Sequence, residues 1–260
     1  MTGTTSDRSY RSGPAHGKTD RLPTLPPPFR LMRLREFGDA FEHARAHAGE
    51  LGAGTLVSTG RFGMAEFAVV LEPELPLAAA RPAFYAGMVA LWNALAAIAP
   101  PQKPITIEWP GTIRVDGALV GGGRLGWPDD AEERGVPAWL VFGAAIRTAF
   151  VASAAPGRFP DAGALEEEGF ELAAADGLLE GFARRLLAIT HRCEETGFSA
   201  VAAEYLSRLD PAEHGDREIG PNGELILKHP GTPARIRELA PALLTPSWLD
   251  PSTSEPRLRD

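Results

Sequence analysis

Few side chains in this sequence are placed to do covalent chemistry. His43 and His47 stand four apart, close enough on one helical face to share a metal ion. The stretch between them is Ala-Arg-Ala, without the glutamate that follows the first histidine of a zinc-peptidase helix, and two solvent-facing histidines describe it better. His191 and Cys193 are two apart. On a helix they point in different directions and are not arranged as base and nucleophile. The three glutamates at 166–168 read as a charged helix start, where the macrodipole favours negative charge. No Gly-x-Ser-x-Gly elbow is present.

Residues 107–125, "IEWPGTIRVDGALVGGGRL", are the stretch that stands out. Asp116-Gly117 between two apolar runs is a hairpin signal. The second run leads into Gly121, Gly122 and Gly123, followed by Arg124. No Gly-Lys-Ser/Thr follows, so this is not a phosphate-binding P-loop. The dinucleotide fingerprint needs Gly-x-Gly-x-x-Gly opening a helix, whereas the residues after Gly123 continue as extended chain. Two readings stay open on the residues alone. One is a glycine-rich strand that bends or admits another backbone closely. The other is a bare backbone surface on which a ligand lies flat.

These residues need a scaffold. Residues 38–51 read as a helix with Asp39 near its start and Phe41, Ala44 and Ala48 on one face. Residues 55–62 and 65–73 read as short strands joined through Gly60 and Gly63. A core helix lies within 75–99, starting near Pro82, with Phe84, Met88, Leu91, Trp92, Leu95 and Ile98 at helical spacing. Residues 105–109 are a strand, 112–115 and 118–122 the arms of the hairpin, and 137–150 a buried strand. Two helices fill 163–209 and part at Gly197. Residues 223–230 and 234–239 read as strands of a small C-terminal module. This order describes a mixed α/β domain rather than a regular alternating parallel fold. Trp109, Ile113, Val115, Leu119, Val120, Leu140, Phe142 and Ile146 are expected to share one core.

At 260 residues and 44% apolar content the chain can bury a full core. Its net charge of −8 argues against a general nucleic-acid binder. A single cysteine excludes an internal disulfide and a cysteine-based zinc site, and fits a reducing cytoplasm. The most apolar stretch, 76–101, is interrupted by Arg81, Pro82 and Asn93, so no membrane span is expected. Residues 1–25 are polar, lack the apolar core of a secretory signal, and are expected to form a disordered tail.

Set in that scaffold, residues 107–125 resemble the central signature of the biotin protein ligases. In that family a strand ends in Lys-Trp-Pro-Asn-Asp, and a short hairpin leads into a Gly-Gly strand that lines the biotin pocket. Here Trp109, Pro110, Asp116-Gly117, Gly121 and Gly122 follow in the same order. Residues 142–150 sit where the family has its Gly-Ile-Asn strand. Residues 164–209 are similar to its helical pair, and 220–238 to the start of its small C-terminal β module. The resemblance spans residues 31–238 and extends to lipoate ligases and octanoyl transferases, so biotin, lipoate and octanoate stay open. It implies an α/β class II synthetase-like fold, a mixed β-sheet flanked by helices, with a ligase-like domain over 26–212 and a C-terminal β module over 213–260. It also implies ATP-dependent attachment of biotin, lipoate or another acyl group to a lysine of a biotinyl or lipoyl carrier protein. A non-catalytic relative would instead bind an acyl cofactor, an acylated carrier domain or another small ligand.

The departures from the family bear on that choice. The Gly-Arg-Gly-Arg-Arg-Gly loop that folds over the acyl-adenylate is reduced to Gly60-Arg61. The lysine before Trp-Pro is Glu108, and the Asn-Asp after it is Gly111-Thr112. Where lipoate ligases and octanoyl transferases carry a lysine, Ala118 and Leu119 stand. Acyl-AMP chemistry needs cations against the charge on carboxylate and phosphate. Arg61, Arg114, Arg124 and Arg147 are the candidates for that role, Arg61 and Arg124 the first of them. Glu108, Trp109, Gly111, Thr112, Arg114, Gly121, Gly122, Gly123 and Arg147 are the expected pocket. A ligase and a pseudoenzyme are both consistent with these residues.

Overall fold

The computed structural model describes residues 23–35, 38–150, 159–171, 174–211 and 215–258. The expected tail, 1–25, lies outside the described residues except for 23–25.

A seven-stranded sheet runs in the order β1 (Arg30–Arg33), β2 (Thr55–Ser58), β3 (Met64–Leu71), β7 (Leu140–Arg147), β6 (Ala118–Gly126), β5 (Thr112–Val115), β4 (Ile105–Glu108). Only β1 and β2 pair in parallel; the other neighbours are antiparallel. The sheet is mixed and flanked by helices, as the sequence implied.

Helix α1 (Ala40–Leu51) starts where expected because Asp39 caps it. The Asp39 carboxylate accepts from the N–H of Phe41 (2.8 Å) and Glu42 (3.1 Å). Ala40, Phe41, Ala44 and Ala48 form its buried stripe and pack on Val57, Ala68, Val70 and Val141 of one sheet face. The expected helix within 75–99 is two elements, a single turn α2 (Leu77–Ala80) and then α3 (Ala83–Ala96). Pro82 has no N–H to continue the first turn. Helix α3 and the long α4 (Ala174–Thr196) cover the opposite face, with α5 (Ser199–Arg208) beyond Gly197. There Phe142 stacks on Phe182 (5.6 Å between ring centres), Phe182 meets Phe67 (4.8 Å), and Phe84 meets Phe142 (6.0 Å).

Asp116 (φ 50°) and Gly117 (φ 85°) both take the left-handed conformation that a two-residue hairpin turn requires. The register then slips. Ile113 faces Gly121 but Arg114 faces Leu119, so Val120 is an extra residue on β6. This bulge changes the parity of the strand. Val120 stays in the main core, while Leu119 turns to the other face and joins Met64, Ala145 and Trp248. The expectation of one shared core therefore holds for Trp109, Ile113, Val115, Val120, Leu140, Phe142 and Ile146 and fails for Leu119.

Beyond α5, β8 (Asp216–Ile219), β9 (Leu225–Lys228) and β10 (Arg235–Arg237) form a small antiparallel sheet. Leu225 and Leu227 reach into the main core, and Tyr85 donates a hydrogen bond to the Gly223 carbonyl (2.5 Å). Helix α6 (Leu239–Leu244) follows. The chain then passes over the sheet as residues 246–257, which contain the short hairpin β11 (Leu249–Asp250) and β12 (Glu255–Pro256).

Candidate functional site

Strand pairing aligns one row of residues across the sheet. Glu108 lies opposite Thr112, Thr112 opposite Gly122, Gly122 opposite Ala145, and Ala145 opposite Glu66. Directly paired residues point to the same face, here the face that α3 and α4 leave uncovered. A carboxylate thus stands at each end of the row and bare backbone at its middle.

Glu66 is buried. It accepts from the Ala40 N–H (2.7 Å) and the Thr59 hydroxyl (3.2 Å), and Arg61 lies 3.5 Å away. Burial pushes its pKa above the usual carboxylate value; the Ala40 N–H opposes that shift and the charge of Asp39 adds to it. Arg61 also pairs with Glu255, so it stands between two carboxylates. At the other end, Arg114 donates to Glu108 (3.0 Å) and to the Gly117 carbonyl (2.9 Å).

Arg124 is buried over the Phe41 ring (4.2 Å) and donates to Asp39 at 2.5 Å, with Glu42 at 4.0 Å. Burial alone would raise the Asp39 pKa. The hydrogen bond and charge of Arg124, with the Glu42 N–H, outweigh it and hold the carboxyl below its usual value. Arg147 is buried as well and donates to the carbonyls of Gly163 (3.2 Å) and Pro256. Its pKa is lowered by burial, which the charge of Glu255 partly offsets.

The glycines divide between the faces. Of Gly121, Gly122 and Gly123, only Gly122 presents its α-carbon to this side, where a Cβ would strike both the Gly111 carbonyl and the Trp248 indole. A Cβ on Gly123 would instead meet Met88 and Phe142 in the main core, and one on Gly121 the Ala145 carbonyl. Gly111 backs against the Gly123 carbonyl and Phe84. Trp109 is a core residue, donating to the Tyr85 hydroxyl (3.1 Å) under Arg237. Of the expected site residues, the candidate cations Arg61 and Arg124 and the pocket residues Glu108, Thr112, Arg114, Gly122 and Arg147 belong to one sheet face, while Trp109, Gly111, Gly121 and Gly123 support it from behind.

Trp248 roofs the middle of that face. It is 1% exposed, lies on Gly122, and donates to the Gly123 carbonyl (3.2 Å). Beside it a groove of about 170 Å³ opens between α1 and residues 243–249, lined by Phe41, Arg45, Arg124, Trp127, Leu243 and Leu249. Trp248, Glu255, Glu66 and the second role of Asp39 escaped the sequence reading. Trp248 sits in a short Pro- and Ser-flanked stretch, and its isolation there is the one signal the sequence carries for it. Among the described residues, no group of three potential ligands could hold a metal, and no helix is long and apolar enough to cross a membrane.

A mixed sheet with a glycine strand on one face, helices on the other and a small C-terminal sheet defines a biotin protein ligase-like fold. Residues 25–207 match the biotin/lipoate A/B protein ligase family, and the chain belongs to that family. Among solved structures it is similar to a biotin protein ligase-like protein of unknown function from Silicibacter sp. TM1040, with 27% identity and a TM-score of 0.73 over 86% of this chain and 100% of that one. It also resembles the Aquifex aeolicus biotin protein ligase in complex with biotin and ATP (16% identity, TM-score 0.58, 81% of this chain and 95% of that one). The Leishmania major biotin protein ligase in complex with biotinyl-5-AMP shares the fold too (16% identity, TM-score 0.51, 82% and 99%). No curated protein sequence matches the chain.

Proposed function

We propose that this chain is a ligand-binding member of its family that does not form an acyl-adenylate. The observation that carries this reading is the pairing of its arginines. Arg61 faces Glu66 and Glu255, Arg114 faces Glu108, and Arg124 faces Asp39, while Arg147 is engaged by two carbonyls. A cation already engaged by a carboxylate or by carbonyl oxygens does less for a developing phosphate or carboxylate charge than a free one. The two family lysine positions carry Glu108 and Ala118-Leu119. The residues present therefore do not fit ATP as the family uses it, and no adenylation step is drawn through them.

The ligand on this reading is a small organic acid of the biotin, lipoate or octanoate class, free or attached to a carrier domain in the cytoplasm. Calorimetry with each acid, with and without ATP, tests it alongside ATP–pyrophosphate exchange. One acid should bind with an affinity that ATP does not change, and exchange should be absent. ATP-dependent acylation of a biotinyl or lipoyl carrier domain by the unaltered chain would overturn the reading.

A further inference from the structure

Residues 246–257 engage five of the candidate site residues. The hydroxyl of Ser247 lies 3.4 Å from that of Thr112. Trp248 covers Gly122 and donates to the Gly123 carbonyl. Glu255 pairs with Arg61, and the Pro256 carbonyl accepts from Arg147. One short segment therefore brings a flat ring to the bare backbone and two oxygen acceptors to two of the arginines of the same face, Arg61 and Arg147.

The attachment of this segment is thin. Trp248 is not part of the main core; its own cluster holds only Met64, Leu119 and Ala145, with Leu249 alongside. The Arg61 and Glu255 side chains are 22% and 41% exposed, so water competes for their pairing. Residues 251–253 are exposed. Several of the segment's hydrogen bonds are internal, as from the Arg257 N–H to the Trp248 carbonyl (2.8 Å) and from the Ser254 N–H to the Asp250 carbonyl (2.9 Å). Internal bonds survive a rigid swing of the segment. Regions with few apolar anchors and exposed polar contacts open without global unfolding.

We propose that residues 246–257 are a hinged cover that fills the glycine face as an internal stand-in for its ligand, and that the ligand is, within the class named above, a ring-bearing carboxylate rather than a straight-chain one. Opening turns about Thr245 and Pro246, where α6 has ended. It uncovers Gly122 and frees Arg147 from the Pro256 carbonyl, while Arg61 keeps Glu66, Arg114 keeps Glu108 and Arg124 keeps Asp39. One released cation suits one carboxylate, and the exposed backbone suits one flat ring. The closed cover competes with the ligand, so the observed affinity is the intrinsic one reduced by the open fraction. The ligand chemistry rests on the binding reading above; the motion of the cover does not.

Trp248 and Trp109 provide an internal comparison in the full chain, since both are buried and both donate their indole N–H to an oxygen. By NMR, the Trp248 indole proton should exchange with solvent at least about tenfold faster than that of Trp109, because it follows local opening. Glu255→Gln should speed the Trp248 proton further and leave Trp109 unchanged. Trp248→Ala should bind indole-3-acetate about tenfold or more tighter than the unaltered chain, since the probe no longer competes with the cover's own ring. Equal exchange of the two indole protons, or a folded Trp248→Ala with no gain in indole-3-acetate affinity, overturns the proposal. Should Trp248→Ala fail to fold, the two exchange measurements on the unaltered chain and Glu255→Gln decide it. Those measurements involve no ligand, so they stand apart from the ATP–pyrophosphate and acylation tests of the binding reading.

Discussion

On the sheet face covered by α3 and α4, Phe67, Phe142 and Ile146 meet Phe84, Met88 and Phe182 in one apolar cluster. On the face covered by α1 and residues 246–257, Glu66, Arg124 and Arg147 are buried about as deeply, between the smaller apolar cluster under α1 and the bare backbone at Gly122. The two faces are held in different ways. Apolar burial is non-directional and scales with area, so the first face depends on how completely its side chains fill the space rather than on any one pairing. Buried charges are costly unless each finds a partner in good geometry. The second face therefore contributes less stability and more positional definition, with Glu66 held by α1 and Arg61 held by both Glu66 and Glu255.

That contrast can be broken most directly on the apolar face. Phe142→Ala should cost about 3–5 kcal/mol, since it empties a site where three rings meet. Urea unfolding measures this, and a loss below about 1 kcal/mol would mean that the core repacks freely. On the charged face, Arg124→Ala should cost about 2 kcal/mol, because the partly buried Asp39 loses its cation and the Phe41 ring loses the guanidinium stacked on it. The additional variant Asp39→Asn should return part of that loss. If the double variant is no more stable than Arg124→Ala, the pair is not what holds α1 in place.

Glu66→Gln sharpens the comparison through pH. The Glu66 carboxyl titrates higher in the folded chain than in the unfolded one. The native state then holds the proton more tightly, so stability falls as pH rises from the ordinary carboxylate value through the raised one. Glutamine keeps an acceptor for the Ala40 N–H and removes that loss. The variant should melt at or above the unaltered chain at pH 7, by an amount worth about 1 kcal/mol or less, and the difference should vanish near pH 4. A lower melting temperature at pH 7 would show that the Arg61 pairing outweighs the cost of burying the charge. The smallest effect is expected from Glu108→Lys. It loses a half-exposed pair with Arg114, worth about 0.5 kcal/mol. A larger change in thermal midpoint would place Glu108 among the structural charges rather than at the rim.

The apolar face was legible in the sequence because local spacing encodes it. Helical periods in α3 and α4 and the Asp116-Gly117 turn each act over a few residues, as do the α1 period and the Asp39 cap on the other face; they appear near where the pattern put them, except that α4 starts at Ala174 rather than at 163 and residues 166–168 form a turn instead of a helix start. The order of Trp-Pro, hairpin and glycines likewise pointed to the family without any structure. Leu119 marks the edge of that legibility. A one-residue bulge reverses its face, and no alternation pattern announces the bulge. The charged face was not legible, because its partners are far apart in the chain. Arg61 and Glu255 are 194 residues apart, Trp248 and Gly123 are 125, and Arg124 and Asp39 are 85. A long-range ion pair or a ring laid on a glycine has no period, since the chain between its ends is free to take any length. The sequence by itself therefore determined most elements of the main sheet and its helices, most of the core, and the family. Only the tertiary structure decided which arginines are neutralised and what lies on Gly122, because both depend on segments meeting in space.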